Sequence, residues 1–237
     1  MKFYDMHIHT KFSEGESTVE EIASMAKKLG YSGVCLVYYP NKFKEKEKLE
    51  EEIKNVSKAY GVKIFLGFKA RNVRELNFLV ERRKEYDFLL VRGGNLNLNR
   101  KAVETPEVDI LTHPELERFD SGFNHVMAKL ARKNNVAIEF NFREVMITSK
   151  ATRSRILKNL KTNAMVCKKY GAKMVITSGA ISVWEMKDPL VLASFGTLLG
   201  MSIEEAKKAI SSVPEEMIKM VRERRSKKWI RPGVKIV

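Results

Sequence analysis

Asp5, His7 and His9 occur at every second position in the stretch DMHIHTKF near the N-terminus. If this stretch is a β-strand, successive side chains point to opposite faces, and these three side chains share one face. Two imidazoles beside a carboxylate form a suitable partial ligand set for a divalent metal ion. The spacing therefore predicts one half of a metal site, and other segments must supply the remaining ligands.

Strands that alternate with helices would position these residues. Short apolar or β-branched runs predict strands at 2–8, 33–39, 62–68, 87–93, 108–113, 136–141 and 172–178. Amphipathic runs predict helices at 18–30, 43–60, 72–85, 95–103, 122–135 and 152–170, followed by a helical tail at 189–200, 203–211 and 215–228. The alternation predicts an α/β fold with right-handed βαβ units and a parallel sheet. Periodicity alone leaves open whether the sheet closes as a barrel or stays open.

Length and composition bound the class of protein. With 237 residues, 44% of them hydrophobic, the chain can bury the core of one domain over 1–237. No apolar run reaches the roughly 18 to 20 residues of a membrane span, and MKFYDMHIHT lacks the apolar segment of a signal peptide. Cys35 and Cys167 lie far apart in apolar patterns, which favours buried thiols. We therefore expect a cytoplasmic protein with no membrane partner.

The positive charge is concentrated in the C-terminal part of the chain. Residues 141–237 hold 20 basic and 8 acidic side chains, a net of +12, whereas residues 1–140 hold 24 and 21, a net of +3. No carboxylate occurs between Glu144 and Glu185, although that interval contains eight lysines and arginines. Such one-sided charge favours a nucleic-acid partner. The alternative is the solvated surface of a heat-adapted protein, which normally interleaves both signs.

Ligands of parallel α/β folds bind at the carboxyl ends of the strands, so the residues at these ends indicate the functional face. Besides the two histidines, the predicted strand ends present Lys69, Arg71, Arg92, His113, Glu139 and Arg143. We expect Glu139 to be buried and paired with Arg143 or Lys69, because an unpaired buried carboxylate is costly. His113 precedes Pro114, which favours an extended backbone at His113.

At the level of motifs, DMHIHTKFSEG, GYSGVCLV, ILTHPE (110–115) and AIEFN (137–141) resemble the polymerase-and-histidinol-phosphatase (PHP) superfamily of metal-dependent phosphoesterases. The resemblance implies a distorted barrel with a metal cluster at its mouth. Several expected ligands are replaced, however, by Tyr38, Tyr39, Lys69 and Ser178. The resemblance therefore implies a degenerate site in which His7, His9, His113 and Glu139 are remnants, with no metal bound and no catalytic residue.

One branch of the superfamily departs from the pattern in this way, the protein component 3 family of archaeal ribonuclease P and its eukaryotic counterparts. The chain resembles it in TSGA (177–180), in the tail KDPLVLASFGTLLGMSIEEAKKAISSVPEEMI (187–218) and in the basic stretch ATRSRILKNL (151–160). The resemblance implies a distorted TIM-type, PHP-like barrel of about seven parallel strands with extra C-terminal helices.

That resemblance also implies a function. The chain would be a protein subunit of the ribonucleoprotein that removes the 5′ leader of precursor tRNA. It would bind and stabilise ribonuclease P RNA, meet precursor tRNA through the holoenzyme, and act with other protein subunits, including a small partner. No cofactor would be bound tightly by this chain, and Mg²⁺ would lie at the RNA of the holoenzyme.

The basic residues at the strand ends, in the carboxylate-free interval and in the basic helical tail (about 212–237) are the predicted RNA-binding set. They are Lys69, Arg71, Arg92, Arg143, Lys150, Arg153, Arg155, Lys158, Lys161, Lys168, Lys169, Arg222, Arg224, Arg225, Lys227 and Lys228. Two alternatives remain open at this point. One is a PHP-type phosphoesterase with a reduced metal-ligand set, and the other is a module that binds only protein.

Overall fold

A computed structural model describes residues 1–226 and the backbone of 229–231 and 234–235. Its centre is a parallel sheet of seven strands in chain order. The strands are β1 (Phe3–Ile8), β2 (Tyr31–Tyr38), β3 (Lys63–Ala70), β4 (Phe88–Arg92), β5 (Ile110–Thr112), β6 (Ala137–Asn141) and β7 (Met174–Thr177). Each predicted strand is present, and the sheet curls into a nearly closed barrel. The predicted PHP-like barrel is confirmed.

The barrel closes at a seam between β1 and β7. The backbone N–H of His9 donates to the carbonyl of Ala180 at 2.9 Å. The N–H of Ser178 donates to the two carboxylate oxygens of Asp5 at 3.2 and 3.3 Å. Side-chain and loop contacts therefore join these two strands, whereas ladders join the six other neighbouring pairs.

Helices surround the barrel. They are α1 (Val19–Lys28), α2 (Lys46–Tyr60), α3 (Val73–Glu81), α4 (Leu96–Glu104), α5 (His125–Asn134), α6 (Phe142–Met146), α7 (Lys150–Tyr170), α8 (Pro189–Leu198), α9 (Ile203–Ala209) and α10 (Ser212–Arg225). The predicted capping box of α1 is present between Thr18 and Glu21, and Asn72 caps α3. The short helix α6 was not predicted. Among the described residues, none of the helices combines the length and apolar character that crossing a bilayer requires.

The predicted basic helical tail (about 212–237) is wrong at 229–231 and 234–235. The helix α10 ends at Arg225, and strands β8 (Trp229–Arg231) and β9 (Val234–Lys235) form an antiparallel pair. Lys227 and Lys228 lie outside the described residues.

The interior of the barrel is apolar in its amino-terminal half. Strand residues such as Tyr4, Met6 and Phe88 pack there with Met217 and Val221 from α10. This helix therefore plugs the amino-terminal end, while a second apolar layer fills the space between the sheet and the outer helices. Buried polar residues concentrate at the opposite end, which is the mouth.

A buried ionic network holds α10 against the sheet. Asp109 is 2% exposed, and its carboxylate accepts hydrogen bonds from Arg83, from Arg224 at 2.9 Å and from the N–H of Leu89 at 2.8 Å. Arg83 also donates to three backbone carbonyls. One carboxylate thus pairs with two guanidinium groups in the interior and is their shared counter-charge.

We expect Asp109→Asn to lower the free energy of unfolding by about 3 kcal/mol or more, because it leaves two buried guanidinium groups without a counter-charge. Glu104→Gln is the matched control, since Glu104 pairs with Arg100 on the surface of α4, where a pair contributes less than about 1 kcal/mol. Urea denaturation of both variants measures the difference. Equal destabilisation by the two substitutions would contradict the network's role.

Candidate functional site

The mouth of the barrel holds a lysine ammonium between two imidazoles. The Nζ of Lys69, from β3, lies 3.2 Å from Nε2 of His7 and 3.0 Å from Nε2 of His9. Both rings accept from the ammonium, so their protons lie on Nδ1. From there His7 donates to Glu139 at 2.6 Å and His9 donates to Ser13 Oγ at 3.0 Å. The three side chains are at most 3% exposed.

Burial sets the charge states in this cluster. Desolvation lowers the pKa of Lys69 to about 8 and that of His113 to about 3. It also holds the pKa values of His7 and His9 well below their usual range, with the neighbouring ammonium as the next cause. The imidazoles are therefore neutral, and Lys69 is the cation of the cluster at neutral pH.

Glu139 is buried and paired, but with partners that differ from those expected. Its Oε1 accepts from His7 and, at 2.7 Å, from Thr177 Oγ1. Arg143 instead donates to Glu185 at 2.8 Å, and Lys69 points to the imidazoles. The prediction of Arg143 or Lys69 as its partner is therefore wrong. The imidazole of His7, from β1, reaches the carboxylate of Glu139 across the barrel mouth, whereas Arg143 and Lys69 are engaged elsewhere.

Asp5 does not join this cluster. The pairing of β1 with β2 shifts register between Asp5 and Ile8, and the carboxylate turns to the seam, where it accepts from Ser178. Desolvation raises its pKa to about 7. Its Oδ1 also accepts from the N–H of His7 at 3.4 Å. The predicted half-site of Asp5, His7 and His9 is not the one that the structure assembles, since His7 shares its ligand group with His113 and Glu139.

His113 also departs from the expectation. Its backbone φ is +46° rather than extended, and its carbonyl accepts from the N–H of Leu116 at 3.0 Å in a tight turn. This conformation places the imidazole Nε2 3.7 Å from Glu139 Oε2. A left-handed residue before proline is strained, and such strain persists where the surrounding structure imposes it.

The residues of the mouth do not fit a multinuclear metal cluster. Tyr38, Tyr39 and Ser178 offer no strong metal ligand, and the ammonium of Lys69 lies over the ring of Tyr39 at 5.3 Å. His7, His113 and Glu139 each place a ligand atom within 4.8 Å of the others, a spacing that suits a single ion. The ammonium in contact with His7 repels such an ion, so the cation and the metal compete.

The arginines of the rim are held by neighbouring carboxylates. Arg71 makes a bidentate contact with Glu75, at 3.2 and 2.6 Å, and Arg143 pairs with Glu185. Arg92 has the longest ion pair of the three, with a guanidinium nitrogen 3.9 Å from the carboxylate of Glu14. The predicted cationic rim is thus largely neutralised by the protein itself, with Arg92 as its most available charge.

The outer face of α7 retains its charge. Lys150, Arg153, Lys158 and Lys161 are exposed, and no carboxylate of residues 1–226 pairs with them. Lys168 pairs with Glu205 at 2.9 Å, and Lys169 lies over the ring of Tyr170. We call Lys150, Arg153, Lys158 and Lys161 the α7 basic face.

Two members of the predicted RNA-binding set are corrected. Lys69 and Arg224 are 3% and 7% exposed, and their charges are held by the imidazoles and by Asp109, so they do not face an external ligand. Arg225 is engaged with Asp87 at 2.6 Å and Glu50 at 3.0 Å. Arg222 is exposed on α10.

Three residues of the candidate site and its surroundings, namely Ser13, Glu14 and Phe119, were not predicted from the sequence. Ser13 and Glu14 close the mouth from the loop after β1, where Glu14 Oε2 lies 3.5 Å from His9 Nε2. Their position after a strand end is the signal that could have found them. Phe119 is 88% exposed, with the guanidinium of Arg155 4.9 Å from its ring centre. Nothing in the local pattern marks that exposure.

The chain matches the family model described as RNase P subunit p30 over residues 2–226. It is 33% identical over 237 residues to ribonuclease P protein component 3 of Methanosarcina barkeri, covering 100% of this chain and 96% of that protein. The corresponding protein of Methanocaldococcus jannaschii is 34% identical over 179 residues, 74% of this chain and 76% of the relative. The chain belongs to the RNase P subunit p30 family.

A solved structure agrees with this membership. A chain of the structure described as archaeal ribonuclease P with mature tRNA superposes with a TM-score of 0.81 at 30% identity, covering 98% of this chain and 97% of that one. A Xaa-Pro dipeptidase superposes with a TM-score of 0.58 at 10% identity, covering 93% of this chain and 76% of the other. The second likeness shows only the barrel fold.

We expect Lys69→Met to let this p30-family chain bind Zn²⁺ at least tenfold more tightly than the natural chain. Two unit charges about 4 Å apart repel by about 4 kcal/mol at an effective dielectric constant of about 20, and the ammonium repels a divalent ion about twice as strongly. Isothermal titration calorimetry measures the affinity. Adding His113→Gln to the variant should remove the gain, and near-ultraviolet circular dichroism checks the fold. Equal Zn²⁺ affinity of the natural chain and Lys69→Met would contradict the competition.

Proposed function

We propose that this chain acts as a protein subunit of ribonuclease P and that it binds the RNA of that ribonucleoprotein chiefly through the α7 basic face. Membership of the p30 family supports the assignment to the particle. The observation that carries the proposed interface is the set of exposed cations on one helix without carboxylate partners among residues 1–226. Such a face attracts phosphates and positions an RNA without reading its sequence.

Chemistry in this proposal belongs to the RNA and not to the barrel mouth. The particle would cleave the 5′ leader from precursor tRNA, and Mg²⁺ held at the RNA would serve the reaction, with no cofactor held tightly by this chain. The buried ammonium between His7 and His9 supports this division of roles. It also weighs against the alternative, a metal-dependent phosphoesterase with a reduced ligand set.

Other protein subunits are part of the same proposal. Apolar side chains are exposed on adjoining elements, with Met165 of α7 63% exposed and Leu190 and Leu198 of α8 56% and 65% exposed. Exposed apolar patches of this kind mark protein interfaces. The buried free thiols Cys35 and Cys167 suit a reducing compartment, so we place the protein in the cytoplasm.

Reversing three charges of the α7 basic face tests the interface. We expect Arg153→Glu, Lys158→Glu and Lys161→Glu together to weaken binding to ribonuclease P RNA at least tenfold and to reduce the slope of log affinity against log salt by about one per lost phosphate contact. Filter binding at several salt concentrations measures both quantities, and cleavage of precursor tRNA by a reconstituted particle should fall in parallel.

The matched control is Lys48→Glu, Lys54→Glu and Lys58→Glu on α2, which changes the net charge by the same amount. These lysines are also exposed, but they are interleaved with glutamates. We expect this variant to keep most of its RNA affinity. If both triple variants lose affinity equally, only net charge matters and the assignment to α7 fails.

A further inference from the structure

Phe119 is a solvent-exposed aromatic ring on a well-anchored loop. The ring is 88% exposed, although the backbone around it is held firmly. The buried side chain of Asn159 on α7 donates to the carbonyl of Asp120 at 2.8 Å, and that of Asn163 donates to the carbonyl of Ser121 at 3.0 Å. Arg118 makes a bidentate contact with Asp120 at 2.6 and 2.8 Å. The loop therefore presents the ring in a defined position at the cost of leaving it in water.

The guanidinium of Arg155 lies over one face of this ring, which leaves the other face of the ring for a ligand. Its Cζ lies 4.9 Å from the ring centre, within the range of a cation–π contact. The Nε atom of Arg155 is buried without a hydrogen-bond partner among the described residues, and no carboxylate there pairs with the group. An aromatic face and a planar cation therefore lie together at the surface.

A groove of about 970 Å³ adjoins the ring. It is lined by Phe119, by Arg71 and Arg92, and by the segment 93–95 that leads into α4. Glu117, Arg118 and Asp120 also line it, and Asp120 is paired with Arg118. This volume lies at the upper end of small-ligand sites, which span about 300 to 1,000 Å³, so a nucleotide fits.

The other side of Phe119 adjoins the α7 basic face. Arg155 lies one turn before Lys158 on the same helix, and Lys158 and Lys161 line a second depression with Leu157 and Met165. Cations thus continue from Arg92, across the groove and the Phe119–Arg155 pair, to Lys161. A single strand whose phosphates follow this path would place a base at the ring.

We infer that Phe119 and Arg155 form a stacking site for an unpaired base of RNA, with Arg92 and Lys158 contacting the flanking phosphates. Stacking on an aromatic ring tolerates any base, because every base has a π face. A duplex cannot use the site, since its bases are already stacked. The inference rests on the proposed function, and it adds that this chain recognises a single-stranded segment.

The test compares single-stranded and duplex RNA as probes for the full chain. We expect Phe119→Ala to bind a short unstructured single strand at least about tenfold more weakly than the natural chain, as loss of base–aromatic stacking requires. Binding of a duplex of the same length should not change. Phe119→Tyr, which keeps an aromatic face, should retain the natural affinity. Fluorescence anisotropy measures the affinity of the natural chain and of each variant for the single strand and for the duplex. Thermal unfolding verifies that each variant is folded.

Trp184→Ala is the matched control, because Trp184 is an aromatic side chain 81% exposed outside the groove. We expect this variant to bind the single strand as the natural chain does. The inference is overturned if Phe119→Ala binds the single strand normally, if it loses single strand and duplex equally, or if Trp184→Ala has the same effect. It is also overturned if Phe119→Ala weakens only the binding of a protein subunit.

Ribonuclease P RNA itself separates this inference from the proposed function. If the natural chain fails to bind that RNA, the proposed function fails. If the natural chain binds it and the α7 charge reversal weakens binding while Phe119→Ala leaves single-strand binding intact, only the stacking site fails.

Discussion

The buried ammonium of Lys69 determines the charge and the hydrogen bonding of the barrel mouth. It fixes both histidine tautomers, and through His7 it connects to Glu139 and Thr177, so that one chain of hydrogen bonds joins β3, β1, β6 and β7. This matters because the seam between β1 and β7 relies on side-chain and loop contacts. The ammonium therefore also helps to close the barrel, because the hydrogen bonds that pass through His7 tie β1 to β6 and β7.

The same internal pairing extends from the mouth to its rim and distinguishes both from the α7 basic face. Rim cations such as Arg71 and Arg143 are matched by carboxylates within the chain, which removes their attraction for an external anion. The α7 basic face has no such partners among residues 1–226. Both regions are rich in cations, but the rim is largely neutralised whereas the α7 basic face stays positive. Pairing with carboxylates accounts for the difference.

Most of the fold could be predicted because local signals were strong. Parallel strands buried on both faces appear as apolar runs, and the caps at Thr18 and Asn72 mark helix starts. Closure of the sheet could be predicted only from the family resemblance and not from periodicity, because it depends on contacts between segments more than 170 residues apart, such as Asp5 with Ser178. The tail beyond Arg225 was predicted as a helix from its composition, whereas its backbone at 229–231 and 234–235 pairs as strands.

For the site, the predicted strand ends placed His7, His113 and Glu139 together at the mouth, where the structure has them, but the sequence predicted neither the exclusion of Asp5 nor the partners of the cations. Arg224 and Arg153 both lie in basic helical stretches of the sequence. Arg224, however, pairs with Asp109, which directly precedes β5 and is far away in the chain. Pairing within a helix is more predictable, because side chains three or four residues apart are neighbours. Arg100 pairs with Glu104 on α4 in this way. No such pair can form in the interval from Val145 to Trp184, which contains no carboxylate. Its cations stay available unless another element supplies an acid, as Glu205 does for Lys168.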